Sequence, residues 1–409
     1  MIRTTRTAAL LAASGLATLV LMQPALAVDA NAFVDRFTEV YKLGGYDIAF
    51  GDARLEGDAI IVDGATVSVD GLDDAWTIDT EFTFSGVEDT EDGGFYAATL
   101  TVPDIDTEFA TDPSGTVSVT DIIAEDIRLP AADAINMAAL LDSMGSLSTG
   151  PLTLTRDGAE VIRYDGFEAL NTFEYDDAGA LVSVASTFDV AGIWADLTSM
   201  GEENPEAAPV IEALGLTEVN GTISQSMTWG LADGHFVIDK FLFDFDDVGA
   251  LDLKTDISGL TLPVMDKLNA LQTPAADQTS EAAQAQQMMV GMELLQALTL
   301  TSTSIRYDDA SLAPKLIDMF AAQSGAERAQ FVEGLKSMVP QMVGQLGIPK
   351  LTELVVPAVN AFLDDPQSFE VSVRPASPTT LLVLSAAAAN PAGLISALGL
   401  AVTANQAAQ

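Results

Sequence analysis

The stretch Trp76-Thr77-Ile78-Asp79-Thr80-Glu81-Phe82-Thr83-Phe84 decides the fold. Trp76, Ile78, Thr80, Phe82 and Phe84 point one way and Thr77, Asp79, Glu81 and Thr83 the other, the period-two pattern of a half-buried antiparallel strand. Asp92-Gly93-Gly94 then turns the chain, and Tyr96, Ala98, Leu100 and Val102 supply a returning face, so residues 76–102 are expected to form a long hairpin. The grammar recurs further on. Thr153 to Tyr164 folds about Asp157-Gly158, and Ile223, Met227 and Trp229 lead to Asp233-Gly234, from which Ile238, Phe241, Phe243 and Phe245 return. The skip between Ile238 and Phe241 predicts a bulge.

Helical spacing interrupts these strands. Phe33, Phe37 and Tyr41 recur every four residues behind Asp29 and Asn31, and Gly44-Gly45 closes the run, which predicts a short amphipathic helix. Pro130 to Met144, Pro205 to Leu214 and Pro263 to Leu271 each open near a proline, which suits a first helical turn. Toward the C-terminus helical stripes dominate: Leu312, Leu316, Ile317 and Phe320; then Phe331, Leu335, Met338 and Met342 with Pro340 among them; then Leu351, Leu354, Ala358 and Phe362. Phe369, Val371 and Val373 alternate as a strand. A buried strand over Thr379–Ser385 and a helix from Pro391 are expected after it.

The fold class is therefore α+β: mainly antiparallel sheet built from long twisted hairpins, with an open groove as one form it can take, short amphipathic helices, and a more helical C-terminal module. The expected organisation is a leader over 1–27, an acidic strand-rich region over 28–145, a second strand-rich region over 146–271, a linker over 272–287 and the helix-rich module over 288–409. The segment 272–287 is rich in Ala, Gln and small polar residues, which also fits an exposed helix.

Arg3 and Arg6, the apolar run from Ala8 to Met22 and Ala25-Leu26-Ala27 have the three-part layout of a cleaved secretory signal, with the cut expected between Ala27 and Val28. Export places the protein in the periplasm, or else at the outer membrane or outside the cell. Without Arg3 and Arg6, 15 basic residues face 60 acidic ones, a formal charge of −45. Such a surface repels phosphate backbones, which argues against nucleic acid as a partner. The chain is nonetheless 48% hydrophobic with a mean hydropathy of +0.28, so the acids coat a real core rather than a disordered chain. It has no cysteine, so stability rests on buried area and not on disulfides. No charged residue follows Arg374, and the apolar piece Leu381–Val402 approaches membrane-spanning length; Asn390-Pro391 and two glycines interrupt it.

Few chemistries find their residues. His235 is the sole histidine and sits just after a turn, so neither a zinc site nor a Ser-His-acid set has its parts. Phosphate-loop and dinucleotide fingerprints are absent, and no cofactor is implied. Asp244, Asp246 and Asp247 resemble the opening of a calcium loop, but Val248 replaces an oxygen ligand and Thr255 stands where a bidentate Glu belongs, leaving weak divalent binding and no dedicated site. A carbohydrate hydrolase needs two carboxylates across a cleft, which linear sequence does not display. Trp76, Phe82, Phe84, Phe241, Phe243 and Phe245 are the candidate apolar ligand face; the competing reading is that they are core beneath the helices.

Ile305-Arg306-Tyr307-Asp308-Asp309-Ala310-Ser311-Leu312, Phe362-Leu363-Asp364-Asp365-Pro366, Val373-Arg374-Pro375, Asn390-Pro391, Leu398-Gly399-Leu400 and Ala404-Asn405 resemble an exported alphaproteobacterial family, domain of unknown function 2125. Trp76-Thr77-Ile78-Asp79 is similar to it as well. The resemblance brings no catalytic residues with it. More distantly, the alternation of strands and amphipathic helices resembles AsmA-like periplasmic proteins, which implies an open β-groove and a part in lipid movement; those proteins commonly keep an N-terminal membrane anchor, which this chain is expected to lose. The expected function is a non-enzymatic envelope protein that binds or shields an apolar component such as a lipid. The alternative is an acidic structural or surface-associated protein with weak divalent-cation binding.

Overall fold

The computed structural model describes residues 28–69, 71, 75–111, 114–199, 207–272 and 281–407. The leader up to Ala27 and the central part of the expected linker, 273–280, lie outside the described residues, and 281–287 open a helix.

Helix α1 (Ala30–Lys42) starts where the Asp29 side chain accepts from the backbone N–H groups of Asn31 and Ala32, an N-cap. The chain then lays down β1 (Tyr46–Phe50), β2 (Ala53–Glu56), β3 (Ala59–Val69), β4 (Trp76–Ser85), β5 (Glu88–Asp89), β6 (Phe95–Val102), β7 (Ile105–Thr111), β8 (Ser114–Val119) and β9 (Ile122–Leu129). After α2 (Met137–Leu141) come β10 (Met144–Thr149), β11 (Leu152–Arg156), β12 (Ala159–Tyr164), β13 (Gly166–Tyr175) and β14 (Leu181–Asp196). Helix α3 (Ala208–Leu214) precedes β15 (Glu218–Gly230), β16 (His235–Phe245) and β17 (Gly249–Ser258). Helices α4 (Leu262–Gln272) and α5 (Glu281–Ala297) lead to β18 (Thr299–Asp309). The remainder is α6 (Leu312–Ser324), α7 (Arg328–Gly344), α8 (Pro349–Asp364), β19 (Ser368–Val373), β20 (Thr379–Thr380), α9 (Leu381–Ala387), α10 (Pro391–Leu398) and β21 (Leu400–Ala404).

These strands form one antiparallel sheet, so the fold is α+β and mainly antiparallel. Its main line runs from β3 through β4, β6, β9, β10, β13, β14, β15, β16, β17, β18 and β19 to β21. It passes without a break through the regions 28–145, 146–271 and 288–409. A crease crosses it. Four neighbouring long strands each break at one level: Pro103-Asp104 between β6 and β7, Thr120-Asp121 between β8 and β9, Gly150-Pro151 between β10 and β11, and Asp165 between β12 and β13. Neither proline has an N–H to give a ladder. Gly150 N–H donates to the Thr120 carbonyl across the crease, and Asp121 N–H to the Asp104 side chain. At the same level β14 shifts register between Val190 and Ile193, and Gly192 takes φ +61° with its α-carbon against Asp165, where a Cβ would collide. Beyond the crease, β7, β8, β11 and β12 form a flap that rejoins the far end of β14.

The Asp157-Gly158 hairpin and the turn at Asp233-Gly234 form as expected, and the bulge after Ile238 appears as a register shift opposite Ser226 and Met227. Three expectations change. The helical run expected over Pro130 to Met144 shrinks to a 3-10 turn at Ala132–Ala134 and the short α2, and Met144 already opens β10. β4 pairs along its length with β3 and meets β6 only at Thr83, Phe84 and Ser85, so 76–102 is not a continuous hairpin. The expected strand over Thr379–Ser385 lasts two residues; Thr380 caps α9, and the Leu- and Ala-rich run that follows has strong helix propensity.

Two buried clusters stand out among the described residues. Phe33, Val34, Phe37 and Val40 of α1 press onto Ile60, Val62, Phe82, Phe84, Ala97, Ala124 and Ile127 of the sheet. A smaller cluster joins Leu214, Leu216 and Met319 to Leu197, Val248, Leu312 and Leu316.

Candidate functional site

Cross-strand partners point to the same side of a sheet, so the register traces its faces. From Ile60 the line runs Phe84, Leu100, Ala124, Leu147, Ala169, Phe188, Gln225, Phe241. The face that buries Ile60 and Phe84 beneath α1 is therefore the face that carries Phe188 and Phe241. Two residues along β16, Phe243 continues it through Leu251 and Tyr307 to Phe369. Helix α1 covers one end of this apolar face and α6 and α8 stand at the other.

Between these ends lies an open strip. Phe167, Phe188, Phe241 and Phe243 belong to neither buried cluster and are each partly exposed. Their rings form a chain: Phe167 to Phe188 at 6.2 Å, Phe188 to Phe241 at 6.1 Å, Phe241 to Phe243 at 4.7 Å between centroids. Further along the same face Leu251, Ile305 and Val371 are 36, 52 and 37% exposed, whereas Phe84 is fully buried. Gln225, between Phe188 and Phe241, puts one carboxamide into the row.

The six sequence-derived aromatics thus divide. Phe82 and Phe84 are core, packed beneath Phe33 and Phe37, with Phe33 and Phe84 edge-on at 4.9 Å; they line no groove. Phe241, Phe243 and Phe245 lie on the strip's side of β16. Trp76 opens β4 opposite Val67, and its side chain lies outside the described residues. Sequence reading passed over Phe167, Phe188, Leu251 and Ile305, although Val182, Val184, Ser186, Phe188 and Val190 alternate as plainly as 76–84 does.

At the α6–α8 end the strip meets an open-mouthed crevice of about 420 Å³ lined by Tyr307, Leu312, Ala313, Leu316, Val359, Phe362 and Phe369. Tyr307 hydroxyl is taken up by the Val248 carbonyl at 2.6 Å and the Asp309 carboxylate at 2.9 Å. Burial, and then that bond to Asp309, push its pKa above the ordinary tyrosine value, so it stays protonated.

One polar concavity elsewhere is occupied by internal pairs. A cleft of about 470 Å³ beside Tyr96 contains Arg128, which binds Asp126, Asp142 and Tyr175 hydroxyl and lies over the Phe173 ring. Asp244 and Asp246 share a shallow depression with Asp165 and Arg163; Asp247 sits in the β16–β17 turn at φ +59°. Among the described residues no three His, Asp or Glu side chains gather as metal ligands. His235 is exposed, its Nε2 2.9 Å from Asp256. Among them, too, no helix is long and apolar enough to cross a membrane.

A family model described only as an uncharacterized protein matches residues 242–405, from the middle of β16 to just past β21. No curated protein matches the chain.

Proposed function

We propose that this is a non-enzymatic protein of the cell envelope that binds or shields an apolar component such as a lipid, and that the strip from Phe167 to Val371 is where it does so. The observation that carries this reading is the continuity of one apolar sheet face from a covered core to a partly exposed middle. A partly exposed row of Phe, Leu and Ile costs solvation free energy in the unoccupied protein, and contiguous apolar surface of that kind marks interaction sites. About ten methylenes laid on it gain about 8 kcal/mol gross, enough to offset much of the entropic cost of association. The proposed export from the leader reading and the resemblance to AsmA-like proteins support the same assignment.

Native mass spectrometry and organic extraction of the purified protein test it. A co-purifying apolar molecule, lost in the double variant Phe241→Ser, Phe243→Ser, is the expected result. An empty protein that also fails to bind an apolar dye would end this reading.

A further inference from the structure

We propose that the crevice between α6 and α8 receives the methyl end of a single hydrocarbon chain, whose neutral, hydroxyl-bearing head lies near Gln225. This rests on the reading of the strip given above and names its ligand class. The crevice, at about 420 Å³, is of ligand size and is walled by Leu312, Leu316, Val359, Phe362 and the rings of Tyr307 and Phe369. It is the end of the strip, since Tyr307 and Phe369 follow Phe243 and Leu251 in register on one face.

Hydrocarbon suits it better than peptide does. The polar atom at its wall, the Tyr307 hydroxyl, already has two protein partners. A peptide would carry backbone C=O groups into a place with no proton left to give them, at a cost of a few kcal/mol each. A chain of methylenes loses nothing there.

The head follows from charge and distance. A protein of formal charge −43 repels an anionic head from its surface. Gln225 offers a carboxamide that has no hydrogen-bond partner among the described residues and can both donate to and accept from a hydroxyl. From β15, which bears Gln225, to β19, which bears Phe369, is four strand spacings, about 19 Å. A long acyl chain covers that distance and a short one does not.

The test is a titration of the full chain with monooleoylglycerol, oleate and monooctanoylglycerol, followed by native mass spectrometry, on the wild type and on Ala313→Phe, which fills the crevice from α6. The expected result is that Ala313→Phe weakens monooleoylglycerol about tenfold, the worth of roughly two lost methylene contacts, and leaves monooctanoylglycerol unchanged. Val359→Phe fills the crevice from the α8 wall and gives the same pattern should Ala313→Phe not fold. Unchanged monooleoylglycerol affinity in the folded variants overturns the crevice as the tail's seat and leaves the strip reading standing, and so does an equal loss for both chain lengths. Oleate binding as tight as monooleoylglycerol overturns the neutral head. A wild type that binds none of the three, and no apolar dye, overturns the strip reading and this inference together.

Discussion

Phe188 and Phe241 meet edge-on at 6.1 Å although their strands are not neighbours; β15 passes between them and contributes Gln225. The two rings flank the partly exposed Gln225 in the middle of an otherwise apolar row. They are partly solvated, in contrast to Phe84 on the same face. Phe84→Ala is expected to cost about 3–5 kcal/mol, the range for a fully buried ring, and Phe241→Ala about 1–3 kcal/mol, the worth of its two aromatic pairs. Urea midpoints measure both. Apolar-dye binding is expected to fall in Phe241→Ala and to persist in any Phe84 variant that stays folded.

Arg306 holds the polar side of β18. Its guanidinium binds Asp308 and, at 3.2 Å, Glu370 on β19, with only 11% of its side chain exposed. Arg54, bonded to Glu56 and Glu81, is 46% exposed. Arg306→Met leaves a poorly solvated Glu370 without its cation and is expected to cost about 1.5–3 kcal/mol, whereas Arg54→Met, at a solvated surface pair, is expected to leave the urea midpoint nearly where it was. Adding Glu370→Gln to Arg306→Met restores part of the loss, and a double-mutant cycle in urea reads it.

Asp29 closes the first turn of α1, the helix that covers the larger cluster. Asp29→Ala is expected to lose about 1 kcal/mol and Asp29→Asn very little, because Asn caps equally well. Thermal melts of the two variants decide the point; equal melting temperatures for Asp29→Ala and the wild type would remove the cap from the account.

Alkali is expected to unfold the protein through its tyrosines. Burial raises the pKa of both Tyr41 and Tyr307 above the ordinary value of 10.0. The folded state thus keeps protons that the unfolded state sheds. Their contribution is fully present below pH 10 and is lost as pH rises from there through the higher folded values. Phenolate absorbance of the six tyrosines should show a late fraction that coincides with unfolding, and Tyr307→Phe should flatten the stability profile above pH 10.

Period-two alternation made the strands legible, and the four-residue recurrence of Phe33, Phe37 and Tyr41 made α1 so. Alternation states which side of a strand is apolar; it does not state what lies on that side. Phe82-Thr83-Phe84 and Phe241-Leu242-Phe243 look alike in sequence, yet α1 lies on the first and no residue of either buried cluster on the second. Coverage is a tertiary fact, set by where the few long amphipathic stripes dock. The crease was hidden for a related reason: Pro103, Asp121, Gly150 and Asp165 are scattered along the chain and become one line only when β6 to β13 pair.

The strand order carries a consequence for assembly. Along the main line each strand joins an edge left by one made shortly before it, so ordered structure can accrete from the N-terminal end while later segments are still being delivered, with few long loops to close at any step. β21 stands at the end of that line, and among the described residues its outward row of amides and carbonyls pairs with no other strand. That edge is the place at which a further strand can add to the sheet.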